Sequence, residues 1–409
     1  MALPFTRDQF FDVFAAYNTS LWPFALALWL LTVGSILMFA RGARGAPRLV
    51  CLTLAIQWAW AALAYHAAFF WRINPAAWFF AALFLLEGGL LAWKGVLLDT
   101  LQFSGGRSPR HYLSGALVAY ALLYPAIVWA DGNPYPRLPT FGVPCPTTIL
   151  TIGFLLAANP PGPGVVALIP IAWALIGGSA ALLLGVRADL MLAAAGICLA
   201  VSTIRVRCRR WGVSDAELSQ PMPGDKEVST PNYVAMAAVT IDAPPEYVWP
   251  WLVQMGQGRG GLYSYDWLDR LFGYLDRPSA DRILPQFQHL AVGDVIPVGG
   301  SAGGFPVKAI TPGAALVLGG EAEAFQWTWQ FALIPVNRSQ TRLIARNQAR
   351  VPRSISTSLF MLALEPAAFI MTRKMLLGIR QRAEALCRDM SRRSAHSLSG
   401  VAPTTWRAT

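Results

Sequence analysis

Charge is what this 409-residue chain has least of: Asp, Glu, Lys and Arg make up 13% of it, against 55% hydrophobic residues. An ordinary soluble domain is about one quarter charged, so a single water-soluble globule is excluded. Cysteine is scarce too, five in all, too few for a disulfide-built scaffold. The 35 glycines follow no three-residue period, which excludes a collagen-like fibre, and the apolar content excludes disorder. Length allows roughly two or three domains.

Apolar residues concentrate before about residue 204, so the chain divides into a membrane half and a water-soluble half. A bilayer span needs about 20 mostly apolar residues. Such runs lie near 21–40, 49–70, 75–98, 112–130, 146–159, 165–185 and 188–204. They predict seven transmembrane helices; the fifth is short and follows a Pro-rich segment, so six spans plus a re-entrant piece is the second reading. Lys and Arg near span ends stay cytoplasmic. The groups Arg41, Arg44, Arg48; Arg107, Arg110; and Arg205, Arg207, Arg209, Arg210 share one side, while Arg7, Arg72, Arg137 and Arg187 fall on the other. This bias puts the N-terminus outside and the C-terminal half in the cytoplasm.

Asp8 and Asp12 stand where a cleavable signal would be basic, and the apolar run after them is too long for one. Residues 1–20 are expected as an interfacial helix instead. Thr6 and Gln9 have capping-box spacing, and Phe10, Val13, Phe14 and Tyr17 form one stripe for the headgroup plane.

Polar residues inside the spans mark candidate sites. Glu87 and Lys94 share a face of the third span, and Gln57 and His66 lie in the second. They read either as an ion or proton path or as an interhelical hydrogen-bond cluster. The loop 136–148 carries four prolines and Cys145, the one cysteine expected on the outer side. Cys145 therefore has no disulfide partner, and His66 is its only plausible companion for metal or redox work.

The stretches Pro4-Phe5-Thr6-Arg7, Tyr65-His66, Ile73-Asn74-Pro75-Ala76-Ala77-Trp78, Pro139-Thr140-Phe141-Gly142 and Trp173-Ala174-Leu175-Ile176-Gly177-Gly178 resemble a bacterial multi-pass membrane family of unknown function over residues 1–204. The resemblance implies an integral membrane protein and brings no known activity.

Between Gly212 and Asn232 the composition turns polar and Pro-rich, which reads as a short tether, taken as 205–232. Beyond it the apolar period becomes two. Strands are expected at 233–241, 293–298, 304–310, 314–319, 325–335 and 340–350, with a helix at 245–254, forming an antiparallel meander. In 325–335 the residues Phe325, Trp327, Trp329, Phe331 and Leu333 alternate with Gln326, Thr328 and Gln330, the pattern of a half-buried strand. A long helix over 366–389, opened by Pro366, carries Phe369, Leu376, Ile379, Ala383 and Leu386 across the aromatic face. Residues 391–409 read as a disordered tail.

The run Ile241-Asp242-Ala243-Pro244-Pro245-Glu246-Tyr247-Val248-Trp249, with Gly293-Asp294 and the Glu365-Pro366 helix, resembles the SRPBCC superfamily of START-like lipid carriers and polyketide cyclases over about 233–390. The chain is expected as a multi-pass α-helical membrane domain followed by an α+β helix-grip domain, and the resemblance implies that sheet and terminal helix of the latter enclose a cavity for an apolar small molecule. The wall is expected from Met255, Trp327, Trp329, Phe331, Phe369, Leu376 and Ile379, and the polar end from Arg259, Tyr263, Tyr265, Asp266 and Trp267.

Gly256-Gln257-Gly258-Arg259-Gly260-Gly261 satisfies G-x-G-x-x-G, but a helix precedes it where a dinucleotide site needs a strand, so a flexible loop at the cavity mouth is preferred. Asp266 and Arg270 have the spacing of a local ion pair. Only His289 and His396 lie in the second half, no His or Cys pair there has zinc spacing, and no serine sits in a nucleophile elbow. No cofactor or metal is expected, and binding is favoured over catalysis. The net charge of +11 suits an anionic leaflet better than nucleic acid. The expected function is membrane-anchored binding or transfer of a lipid or other hydrophobic molecule. A cyclase- or hydrolase-like enzyme using Asp266, or a transporter regulated by the soluble part, are the alternatives.

Overall fold

The computed structural model describes residues 4–159, 164–299, 303–322 and 325–399. The chain forms two compact units, Met1–Val206 and Arg207–Thr409.

Helices α1 (Arg7–Ala40), α2 (Ala46–Trp60), α3 (Ala77–Leu91), α4 (Pro109–Ala130), α5 (Pro144–Leu156), α6 (Leu168–Leu184) and α7 (Leu190–Cys208) follow one another in the first unit. Between α3 and α6 the two-residue strands β1 (Gln102–Phe103) and β2 (Ala158–Asn159) pair antiparallel. π-helical turns at Ala61–Ala67 and Ala92–Leu97 continue α2 and α3.

Among the described residues six helices are long and apolar enough to cross a membrane. The seventh expected span is α5, whose 13 residues are all buried. At 1.5 Å per residue it reaches about 20 Å, short of the roughly 30 Å hydrocarbon layer. It is an internal helix, packed mainly against α4.

The N-terminal stripe is also internal. The capping box forms, with Thr6 N donating to Gln9 Oε1 (2.8 Å) and Gln9 N to Thr6 Oγ1 (3.3 Å). Val13, Phe14 and Tyr17 are buried in one cluster with Tyr65, Phe70 and Val143, and Phe10 packs on it. The stripe therefore faces protein, and α1 bends at Leu21 (φ −128°, ψ 15°), two residues before Pro23, which has no N–H for the helix ladder.

The second unit opens with β3 (Arg210–Trp211) and α8 (Asp215–Ser219), then β4 (Tyr233–Ile241), α9 (Pro245–Val253), α10 (Asp266–Leu271), β5 (Val295–Pro297), β6 (Gly304–Thr311), β7 (Ala315–Ala322), β8 (Phe325–Asn337), β9 (Gln340–Arg350) and α11 (Ile355–Ser399). The sheet order is β3-β4-β9-β8-β7-β6-β5. The expected meander runs from β5 to β9; β3 adds a parallel edge beside β4, which makes the sheet mixed.

Three boundaries differ from the sequence reading. The stretch expected as a tether is folded over the second face of the sheet: Arg342 pairs with Glu217 (2.7 Å), Arg346 with Asp225 (2.8 Å), and Met222 packs with Met236 and Ile344. Thr328 and Gln330 are consequently buried rather than solvated. The terminal helix begins at Ile355, with Pro366 inside it. It also runs through 391–399, part of the expected tail, and residues 400–409 lie outside the described residues.

Candidate functional site

In the second unit, α9 and α11 cover one face of the sheet. Met255, Phe331, Leu376 and Ile379 are fully buried in one cluster with Trp251, Leu316 and Leu343, and Trp329 packs on it. These side chains, expected to wall a cavity, fill it. Trp329 lies tilted against Phe331 (centroids 4.9 Å), and Phe305 stands edge-on to both Trp327 and Trp329 (5.1 and 5.5 Å). A cavity of about 40 Å³ remains beside Phe369, Thr372, Glu365 and Arg209, room for one or two waters at most.

The expected polar end diverges. Arg259 turns back on its own loop, donating to Met255 O (3.0 Å), Val253 O (2.8 Å) and Phe287 O (3.3 Å). Tyr263 is buried edge-on to Trp251 (5.8 Å), with the Arg382 guanidinium 4.9 Å from its ring, and burial raises its phenol pKa. Tyr265 faces Lys374 (5.6 Å). Asp266 accepts from Ser279 Oγ (2.7 Å) and Ser279 N (3.2 Å), while Arg270 reaches only its backbone oxygen (3.2 Å), so no ion pair forms. Trp267 is 65% exposed. Asp269, which the sequence reading passed over, is fully buried with Oδ1 unpartnered. Burial raises its pKa, the Ser264 hydroxyl opposes this, and Asp266 adds to it.

The glycine motif is a pinned turn. Gly256 and Gly261 exchange both backbone hydrogen bonds at 3.0 Å, and Gly260 N donates to Gln254 O (2.7 Å). A Cβ on Gly260 would stand 2.8 Å from that carbonyl, so glycine serves close backbone approach.

The helical unit holds a cavity of its own. A cavity of about 170 Å³ lies among Phe14, Tyr65, His66, Phe80, Trp173 and Ala181, with Cys145 and Asp189 also on its wall. Small residues Gly177, Ala180 and Ala181 on α6 leave the room. The π-helical turn at Ala61–Ala67 brings the adjacent Tyr65 and His66 both inside. His66 stands edge-on to Phe84 (4.8 Å) and Trp173 (5.2 Å). Both His66 ring nitrogens and Trp173 Nε1 are buried without a hydrogen-bond partner. Asp189 accepts from the Tyr124 hydroxyl and lies within hydrogen-bond reach of the Cys145 thiol.

The four polar residues expected as a membrane cluster separate. Gln57 donates to Thr32 Oγ1 (2.5 Å) and accepts from Thr147 (3.4 Å). His66 belongs to the cavity. Glu87 is fully buried with both oxygens unpartnered, and Lys94 lies over the neighbouring Trp93 ring (4.7 Å). Among the described residues no group of three His, Cys, Asp or Glu side chains could hold a metal ion. Trp173 and Asp189 were missed as site residues; an acid opening a span, on the side that holds Cys145, was the available signal.

No curated protein matches the chain. The X-ray crystal structure of protein MLL2253 from Mesorhizobium loti is similar at 16% identity over 37% of this chain and 98% of that chain, with a TM-score of 0.23, too slight a likeness to carry an argument. Residues 7–214 match the family described as "Family of unknown function (DUF6064)", about half of the chain, and the protein belongs to that family.

Proposed function

We propose that this protein is a multi-pass membrane protein that binds a neutral, apolar small molecule in the cavity of its helical unit. The observation that carries this reading is the 170 Å³ space with aromatic walls, on which a histidine and an indole N–H have no partner. An engineered apolar cavity of about 150 Å³ takes up benzene, so a guest of one ring, or the ring of a larger membrane-soluble molecule, matches this space. Trp173 Nε1 can only donate, whereas a neutral imidazole donates and accepts. A hydroxyl or carbonyl oxygen on the ring would meet both. An anionic guest is disfavoured, since no cation lines the space to balance it and desolvation is costly.

We place the N-terminus outside and the sheet unit in the cytoplasm on the distribution of basic residues at span ends. The order strand, short helix, antiparallel sheet, long helix supports the SRPBCC-like helix-grip reading of that unit. A second binding place inside it is favoured by one observation: the indole nitrogens of Trp251 and Trp329 are buried without partners. A guest there would require α11 to lift from the sheet.

Solvent extraction of the full chain purified from membranes, analysed by mass spectrometry, tests the first reading. A neutral apolar compound should accompany the wild type and be depleted at least tenfold in Ala181→Trp, which fills the space. Equal recovery from both proteins would place any bound molecule elsewhere, and recovery from neither would contradict binding.

A further inference from the structure

We infer that the first turns of α11, residues 356–364, insert into the membrane leaflet from which α7 emerges. Between Arg353 and Arg373 the only ionisable side chain is Glu365. Leu359 and Phe360 are 61% and 63% exposed, and Leu362 and Leu364 each 40%. All six residues from Leu359 to Leu364 are apolar and together face every side of the helix, and a helix apolar all round belongs in a core or a bilayer. No core surrounds this one.

Its position identifies the occupant. The last membrane-length helix ends at Cys208, and the next residue, Arg209, pairs with Glu365, which is 4% exposed. Arg209 also lies over the Tyr233 ring (4.9 Å). Cys208, Arg209, Glu365 and Phe369 line one small cavity. The end of α7 and the third turn of α11 are therefore tied together inside one compact unit, and the exposed apolar turns end one residue before that tie. Nine residues of helix reach about 13 Å, enough to enter one leaflet of a hydrocarbon layer about 30 Å thick without crossing it. Exposed Arg207, Arg353 and Arg373 flank the segment, as expected beside anionic headgroups. The cavity of the helical unit plays no part in this inference, so either can fail alone.

The full chain, with the partly exposed Cys198, Cys208 and Cys387 replaced by Ala and a fluorophore on the cysteine introduced by Phe360→Cys, is reconstituted in phosphatidylcholine–phosphatidylglycerol vesicles. Nitroxides carried on the acyl chain should quench it at least threefold more strongly than aqueous iodide. A label at Gln381→Cys, exposed on the later part of α11, should show the reverse. Iodide quenching at residue 360 equal to that at 381 would overturn the inference. So would a label shielded from both quenchers, which would indicate a second copy of the chain or another protein on this face. Since Phe360 is exposed, its replacement leaves the fold intact, and Leu362→Cys, measured in the same way, must agree.

Discussion

The two units solve the burial of aromatic side chains in opposite ways. In the sheet unit, Phe331, Leu376 and Ile379 interlock around Trp251 between α11 and the sheet, where the space beside Phe369 measures only about 40 Å³. In the helical unit, Phe14, Phe80 and Trp173 surround about 170 Å³ because α6 offers glycine and alanine opposite them. Each unit holds both satisfied and unsatisfied polar groups, and two of these sites make a useful contrast. Beneath the sheet, Asp225 accepts from Arg346 (2.8 Å), Gln348 (3.1 Å) and Gln330 (3.4 Å), whereas His66 and Glu87 in the helical unit have no partners. Aromatic content thus says little about hollowness; the size of the residues opposite the rings decides it.

The largest expected effect tests the polar half of that contrast. Asp225→Ala leaves Arg346, whose side chain is 5% exposed, without its carboxylate, and should cost about 3 kcal/mol in denaturant unfolding of the sheet unit. His66→Leu, which removes an unpaired polar group, should change stability by less than about 1 kcal/mol or raise it. A loss on His66→Leu equal to that on Asp225→Ala would show a hidden partner.

Packing comes next. Ala383 is fully buried beneath the sheet and Ala181 lines the cavity. Ala383→Leu should cost about 1–3 kcal/mol by overpacking, while Ala181→Leu should be close to neutral; similar losses in thermal unfolding would erase the distinction.

A smaller effect follows from pH. The Arg342 hydrogen bond holds the Glu217 carboxyl down to about 2, with burial opposing and Ser214 assisting. Because the folded pKa lies below the ordinary 4.5, this stabilisation is complete above pH 4.5 and is lost as pH falls toward 2. Glu217→Gln should flatten the acid limb of a stability–pH curve and cost about 1 kcal/mol at neutral pH. Smallest is Asp266→Asn, which weakens only the hold on Ser279 and should cost under about 1 kcal/mol.

Local periodicity made the strands legible. The alternation of Trp327, Thr328, Trp329, Gln330 and Phe331 marks β8, and the capping box at Thr6 forms as its spacing suggests. Features set by distant partners were not legible. An apolar run looks alike whether lipid or protein surrounds it, so α5 reads as a span although it is wholly enclosed. Pro366 favours a helix start over a helix interior, and that preference hid the apolar turns before it. Residues 215–230 look like a tether until Arg342 and Arg346 supply their partners. Of the site, the sequence singled out His66 as the companion of Cys145; the cavity they share depends on a π-helical turn and on small residues of α6, neither of which has a local sequence mark.

The most direct test of the central claim is fluorine NMR of 4-fluorophenol and fluorobenzene with the full chain in nanodiscs. Both should bind the wild type, fluorophenol at least fivefold more tightly; Ala181→Trp should abolish both, and His66→Leu should remove only the preference. Binding unchanged by Ala181→Trp, or a wild type that takes up neither compound, would contradict a ring-sized site in the helical unit.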